Sequence, residues 1–195
     1  MQYLLTPYSE SIEPWVWWEK AFSEEELSWL QEKAAEATDT AQAGGYSQGE
    51  ELAKIRRSTL SWLHNEPETQ WVYERLAHVV ASLNSQFYRF DLSGFGEAIQ
   101  LTNYSEEQKG MYGWHQDFVG SRVVSRKLSL VLQLTDPAEY EGGNLQIFTN
   151  GEPQNLRKER GMLIAFPSYT LHQITPVTSG NRQSLVTWVS GPAFK

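Results

Sequence analysis

Cysteine is missing altogether from this chain of 195 residues. Its absence rules out a disulfide scaffold, thiolate metal ligands and a cysteine nucleophile. Positive charge is also in deficit: 16 Lys and Arg stand against 24 Asp and Glu, for a net charge of −8. An acidic chain repels phosphate backbones, so no nucleic-acid partner is expected. The best candidate for a basic patch, Lys54, Arg56 and Arg57, is too short to change that expectation. Long apolar runs are lacking as well. The densest, PWVWW at 14–18, is far too short to span a bilayer. The N-terminal MQYLLTPYSE has neither the basic start nor the apolar stretch of a signal peptide. The expectation is a cytoplasmic protein without a membrane partner. Histidine is scarce, with four in the chain.

What is present is ordinary globular composition: 40% hydrophobic and 21% charged residues exclude a disordered polymer. Eight tryptophans offer a large, rigid core. No repeat, low-complexity tract or linker interrupts the chain, which reads as a single domain over 1–195, with helical support over about 1–95 and a β core over about 96–195. FSEEELSWLQEKAAEA (22–37) reads as a helix, with Ser23 and Glu26 as a capping box and Phe22 and Leu27 as a hydrophobic staple. DTAQAGGYSQGEE (39–51) reads as a loop and IRRSTLSWL (55–63) as one strand. NEPETQWVYERLAHVVASLN (65–84) is a second helix, with Pro67 in its first turn and an apolar stripe of Val72, Leu76, Val79, Val80 and Leu83.

The pattern then changes to short strands at 97–104, 127–134, 143–148, 161–166 and 182–189. Asn150-Gly151 marks a hairpin. Leu128, Leu130, Leu132 and Leu134 alternate onto one face. Helices followed by many short strands predict a mainly β fold, a sandwich or jelly roll with the helices packed on one sheet.

YGWHQDF (112–118) places His115 two residues before Asp117, so both would point to one face of an extended strand. Taken alone, the pair reads as a surface histidine beside a solvated aspartate. His172, in SYTLHQITPV, follows after enough chain for several strands and supplies a third group. Two imidazoles and one carboxylate form the facial triad of non-haem Fe(II) oxygenases, which leaves metal positions open. A zinc hydrolase would use a similar set but gives no task to Arg182, ten residues after His172. On an extended strand Arg182, Ser184 and Trp188 share a face, where the guanidinium could grip a carboxylate in bidentate fashion. Tyr112 and Trp114 alternate away from His115 and are expected behind the site. Trp188 is expected in the barrel wall, and His64 and His78 are assigned no function.

These pieces, with QLTNY, YGWHQD, LSLVLQLTDPAEYEGGNLQI, GMLIAFPSYTLHQITPVTSGNR and TWVSGP in that order, resemble the Fe(II)/2-oxoglutarate-dependent oxygenases. Within them the chain resembles the prolyl 4-hydroxylase-like branch and the bacterial PKHD-type hydroxylases. The resemblance covers about half the chain and implies a double-stranded β-helix, the cupin-like jelly roll. It implies Fe(II) held by His115, Asp117 and His172, with 2-oxoglutarate and O2 as co-substrates and ascorbate as a reductant. Arg182 would bind the distal carboxylate of 2-oxoglutarate. Gln100, Tyr104 and Ser184 would line its pocket. The reaction implied is hydroxylation of an unactivated C–H with release of succinate and CO2.

Some relatives place a tyrosine in the strand after H-x-D to assist the arginine; SLVLQL has none, which leaves Ser184 or Tyr104 for that role. The substrate stays open between a prolyl residue of a peptide or protein and a free amino acid or other small molecule. A non-catalytic metal-containing jelly roll is the alternative to an enzyme. Loops 39–54 and 118–127 would flank the site mouth as lids, with Arg56, Arg122 and Arg126 as substrate contacts.

Overall fold

A computed structural model describes residues 12–41, 49–118 and 125–193. Arg122, most of the proposed lid at 118–127 and the centre of the loop at 39–54 lie outside the described residues. After strand β1 (Val16–Trp18) comes helix α1 (Glu24–Ala35). The Ser23 hydroxyl accepts from the Glu26 N–H, and the Glu26 carboxylate accepts from the Ser23 N–H at 2.7 Å, which completes the expected capping box. Phe22 and Leu27, the two staple residues, are buried.

The next segment departs from its sequence reading. Part of the supposed loop forms strand β2 (Asp39–Thr40) and helix α2 (Glu50–Ile55). The single strand expected at 55–63 is split into β3 (Arg56–Arg57) and β4 (Thr59–Leu63), which join different sheets. The break falls at buried Ser58, whose hydroxyl accepts from Arg56 Nε at 2.9 Å. Helix α3 (Gln70–Leu83) starts later than expected, and Pro67 lies in the turn before it. That turn is closed by Thr69, whose hydroxyl accepts from the Glu66 N–H and donates to the His64 carbonyl, side-chain bonds that compete with helical pairing at 64–69. The stripe of Val72, Leu76, Val79, Val80 and Leu83 is buried as expected.

A π-helical turn (Asn84–Tyr88) leads into the strands: β5 (Gly94–Phe95), β6 (Ile99–Ser105), β7 (Met111–His115), β8 (Arg126–Gln133), β9 (Tyr140–Gly142), β10 (Leu145–Thr149), β11 (Glu152–Asn155), β12 (Leu163–Pro167), β13 (His172–Ile174) and β14 (Val177–Ser190). The larger sheet runs β1-β12-β8-β14-β6-β4-β2, with β5 and β9 also paired to β14; the smaller runs β11-β10-β13-β7-β3. The pairings are antiparallel. Between β10 and β11, Asn150 and Gly151 take φ of 54° and 85°, the two positive values that the tight hairpin turn requires.

The two faces of the larger sheet carry two cores. Leu128, Leu130, Leu132 and Leu134 face the helices, packed with Leu27, Leu30, Leu76 and Leu83. Tyr104, Val131, Ile164 and Phe166 face Leu145, Ile147 and Ile174 of the smaller sheet. Two facing antiparallel sheets with helices on one of them make the expected double-stranded β-helix. The inner face is unusually polar for a core. Gln100, Thr102, Ser129, Gln133, Arg182 and Ser184 are all buried, and buried polar groups require partners.

Candidate metal centre

Strands β7 and β13 pair with His115 directly opposite His172. Strand β7 ends at His115, so Asp117 sits in the following turn rather than on the strand; the adjacent Phe118 N–H donates to the Ser168 carbonyl at 3.0 Å. The outcome matches the alternation argument. One ligand atom each from His115, Asp117 and His172 lies within 4.8 Å of the others. His115 Nε2 is 3.7 Å from one Asp117 oxygen and His172 Nε2 is 3.5 Å from the other.

Each imidazole is oriented by its other nitrogen: His115 Nδ1 meets the Gly113 carbonyl at 2.7 Å and His172 Nδ1 meets the Thr170 carbonyl at 2.9 Å. A carbonyl only accepts, so Nδ1 carries the proton and Nε2 keeps its lone pair for a metal. Burial and the neighbouring His172 push the pKa of His115 down to about 3. Burial opposes the charge on Asp117. Nonetheless His172, His115, the Trp188 indole and the Ser129 hydroxyl together hold its carboxyl below the usual value. The Ser129 hydroxyl donates to Asp117 at 2.8 Å and meets the Ser168 hydroxyl at 2.9 Å.

One aromatic residue stands elsewhere than expected. Tyr112 stacks on His115, with ring centroids 3.5 Å apart, instead of lying behind the site. The β7–β13 ladder explains it. His172 and Ile174, two residues apart, pair with His115 and Tyr112, three apart. This bulge inserts one residue and returns Tyr112 to the site face. Trp114 does turn away, against Phe148. Trp188 is buried in the wall, on β14, as expected; its indole also lies near Asp117, and its ring carries the Arg126 guanidinium 3.6 Å from the centroid.

The proposed co-substrate residues lie along β6 and β14. Arg182 is 1% exposed. It donates to Ser184 Oγ at 3.2 Å and to Gln133 Oε1 at 3.0 Å, and its guanidinium carbon is 5.4 Å from the Tyr104 ring centroid. Among the described residues no carboxylate pairs with it. Gln100 is buried on the same face of β6 as Tyr104 and donates to Thr102. Arg56 lies 4.6 Å from the Tyr112 ring centroid, and Arg126 forms a two-point ion pair with Glu97 at 2.6 and 2.8 Å.

With this geometry in place, comparison with known proteins is decisive. Residues 99–190 match the family model described as the 2OG-Fe(II) oxygenase superfamily. A PKHD-type hydroxylase of Colwellia psychrerythraea is 30% identical over 154 residues, which is 75% of this chain and 67% of that protein. The chain belongs to the 2OG-Fe(II) oxygenase superfamily. The family implies Fe(II), 2-oxoglutarate and O2. A PKHD-type hydroxylase of Synechococcus sp. strain CC9605 is 46% identical over 79 residues, 40% of this chain and 36% of its own length. The chain thus spans little more than a third of that relative. Among solved structures, a Pseudomonas putida prolyl-4-hydroxylase superposes with a TM-score of 0.70 at 19% identity, over 92% of this chain and 94% of that one. A Trichoplax adhaerens prolyl hydroxylase, in complex with a hypoxia inducible factor oxygen degradation domain peptide fragment, gives 0.75 at 11% identity, over 91% and 84%. At such identities these two confirm the oxygenase fold.

Sequence reasoning did not single out Tyr112, Ser129 or Gln133, nor the approach of Trp188 to Asp117. Alternation had already put Trp188 on the face of Arg182, so that one was readable. The bulge that turns Tyr112 inward left no mark in the sequence.

Proposed function

We propose that this chain is an Fe(II)- and 2-oxoglutarate-dependent dioxygenase that hydroxylates a prolyl residue of a peptide or protein. His115, Asp117 and His172 hold the metal; their two nitrogens and one oxygen suit Fe(II), with positions left for co-substrates. When bound, iron and 2-oxoglutarate would reduce O2, placing one oxygen atom on the substrate carbon and the other in succinate as CO2 leaves. The chain's own residues do the positioning. The carbonyls of Gly113 and Thr170 fix the imidazoles, and the Ser129 hydroxyl orients Asp117. Arg182 binds the distal carboxylate, with Ser184, Tyr104 and Gln100 lining its surroundings. The buried walls keep bulk water from the reacting centre.

The observation that carries this reading is Arg182: a guanidinium buried on the inner face, without a carboxylate partner among the described residues, in the same core as three converging metal-type ligands. An unpaired buried cation is costly, and a carboxylate ligand relieves that cost. The peptide assignment draws on the solved relatives. It also draws on exposed Phe118 and Leu171, each next in sequence to a ligand, as apolar side chains that an extended chain could meet. The test is succinate release from 2-oxoglutarate with Fe(II), ascorbate and a panel of prolyl peptides and free amino acids. Stimulation by a prolyl peptide is expected, together with a hydroxylated product. Stimulation by a free amino acid alone would move the substrate to that class, and no succinate under any condition would overturn the enzyme assignment.

A further inference from the structure

The outer face of the smaller sheet lacks charge. On β11, β10, β13 and β7, alternation turns Pro153, Asn155, Gln146, Phe148, Gln173 and Trp114 away from the interior. None of these carries a charge, in a chain of which 21% of residues do. Trp114 and Phe148 meet edge to face, with ring centroids 5.9 Å apart, and stay 39% and 44% exposed. The amides form a row beside them. Gln173 Nε2 donates to Gln146 Oε1 and Gln146 Nε2 donates to Asn155 Oδ1, each at 2.7 Å. A side-chain amide has two N–H groups, so each glutamine spends one in the row and keeps the other for a ligand.

This patch adjoins the metal centre. Trp114 directly precedes His115. The Phe148 N–H donates at 2.9 Å to the carbonyl of Leu171, which directly precedes His172. Leu171 is itself exposed. An apolar strip therefore runs from the rim of the ligand site over Leu171 to Phe148 and Trp114.

Size and charge decide what fits there. Four strands about 4.8 Å apart and about five residues long offer a flat area on the order of 300 Å². A stable protein interface needs about 800 Å² from each partner. Two copies of a chain with a net charge of −8 also repel one another. A single extended segment matches better. A polyproline II helix advances about 3.1 Å per residue, so about six residues would cross the patch. It has no internal hydrogen bonds, which leaves its carbonyls free to accept from the spare amide N–H groups while its proline rings lie on Trp114 and Phe148.

We propose that this face is an exosite for an uncharged, proline-rich segment of the substrate, held in the polyproline II conformation outside the catalytic interior. This rests on the prolyl-peptide reading above. It assigns part of substrate recognition to a surface that touches neither the metal nor the co-substrate.

The test is fluorescence anisotropy of dye-labelled decaproline titrated with the metal-free protein, so that no turnover is needed. Wild type should bind it. Trp114→Ala and Phe148→Ala, both at exposed positions, should each raise the Kd about tenfold. His172→Ala should leave the Kd unchanged, and a Gly-Ser peptide of equal length should bind at least about tenfold more weakly than decaproline. Absence of wild-type binding, or binding undiminished in both surface variants, would overturn the exosite. Sedimentation should show a monomer. A dimer that Trp114→Ala dissociates would give the face to a second copy and overturn the proposal. If prolyl peptides stimulate succinate release while the surface variants bind decaproline like wild type, the exosite falls alone. If decaproline binds through Trp114 and Phe148 and no condition releases succinate, the face still binds and the oxygenase reading falls.

Discussion

His115 is a metal-ligand candidate whose protonation the fold itself opposes. Its pKa is held down to about 3 against an ordinary 6.5, by burial first and by His172 second. On unfolding it would take up a proton anywhere between those values. The stability of the metal-free protein should therefore rise as pH goes from about 3 to about 6.5, with no contribution from this group above that window. One proton sets a limiting slope of about 1.4 kcal/mol per pH unit. Thermal melts of the apoprotein across this range should show a shallower profile for His115→Gln, and an unchanged profile would assign the acid sensitivity to other groups. Arg182 gives a second residue-scale expectation. A charge-assisted contact to a carboxylate is worth on the order of 1.5–3 kcal/mol. Arg182→Ala should raise the 2-oxoglutarate KM about a hundredfold and leave Fe(II) affinity nearly unchanged. Equal losses of both in parallel titrations would make Arg182 a structural residue.

Elements with local chemical signals were legible in the sequence; those defined by partners were not. The capping box of α1 and the Asn150-Gly151 hairpin are written in adjacent residues, and both form as read. So is the alternation of Leu128 to Leu134. The division of 55–63 between two sheets and the bulge in β7 arise from pairing with distant strands, which periodicity within one segment does not report. The late start of α3 follows from a side-chain lock by Thr69 that overrides the proline signal. At the site, the H-x-D pair was readable from spacing, and with His172 it does converge; Arg182, Ser184 and Trp188 were readable as sharing one face, and all three are buried. The stacking of Tyr112 on His115 was not readable, because the bulge that causes it depends on a distant strand. Two glycines test how tightly β9 sits on β14. Gly142 has φ of 72° and a Cβ there would lie 2.1 Å from the Pro176 carbonyl oxygen, whereas Gly151 has φ of 85° and faces open space. Gly151→Ala should cost about 1–2 kcal/mol from backbone strain alone. Gly142→Ala should cost clearly more, as read by urea unfolding. Equal costs would show that the β9–β14 contact can relax.

At the scale of the whole molecule, the helical layer covers the outer face of the larger sheet and leaves the space between the sheets to hold a polar, ligand-ready interior. No helix among the described residues is long and apolar enough to cross a membrane. A fold with converging ligands and a buried guanidinium at its centre should be stabilised by what it binds. With metal and 2-oxoglutarate each at a hundred times its Kd, each should contribute about 2.7 kcal/mol, visible as a stepwise rise in melting temperature. The central claim is that one interior holds both the metal and the co-substrate, the metal on His115, Asp117 and His172 and the carboxylate on Arg182. Anaerobic titration with 2-oxoglutarate in the presence and absence of Fe(II) tests it without knowledge of the substrate. Strong binding is expected only with the metal present, lost in His172→Ala because the metal is lost and in Arg182→Ala although the metal remains. Binding of equal strength in the metal-free protein, or undiminished in Arg182→Ala, would contradict the account.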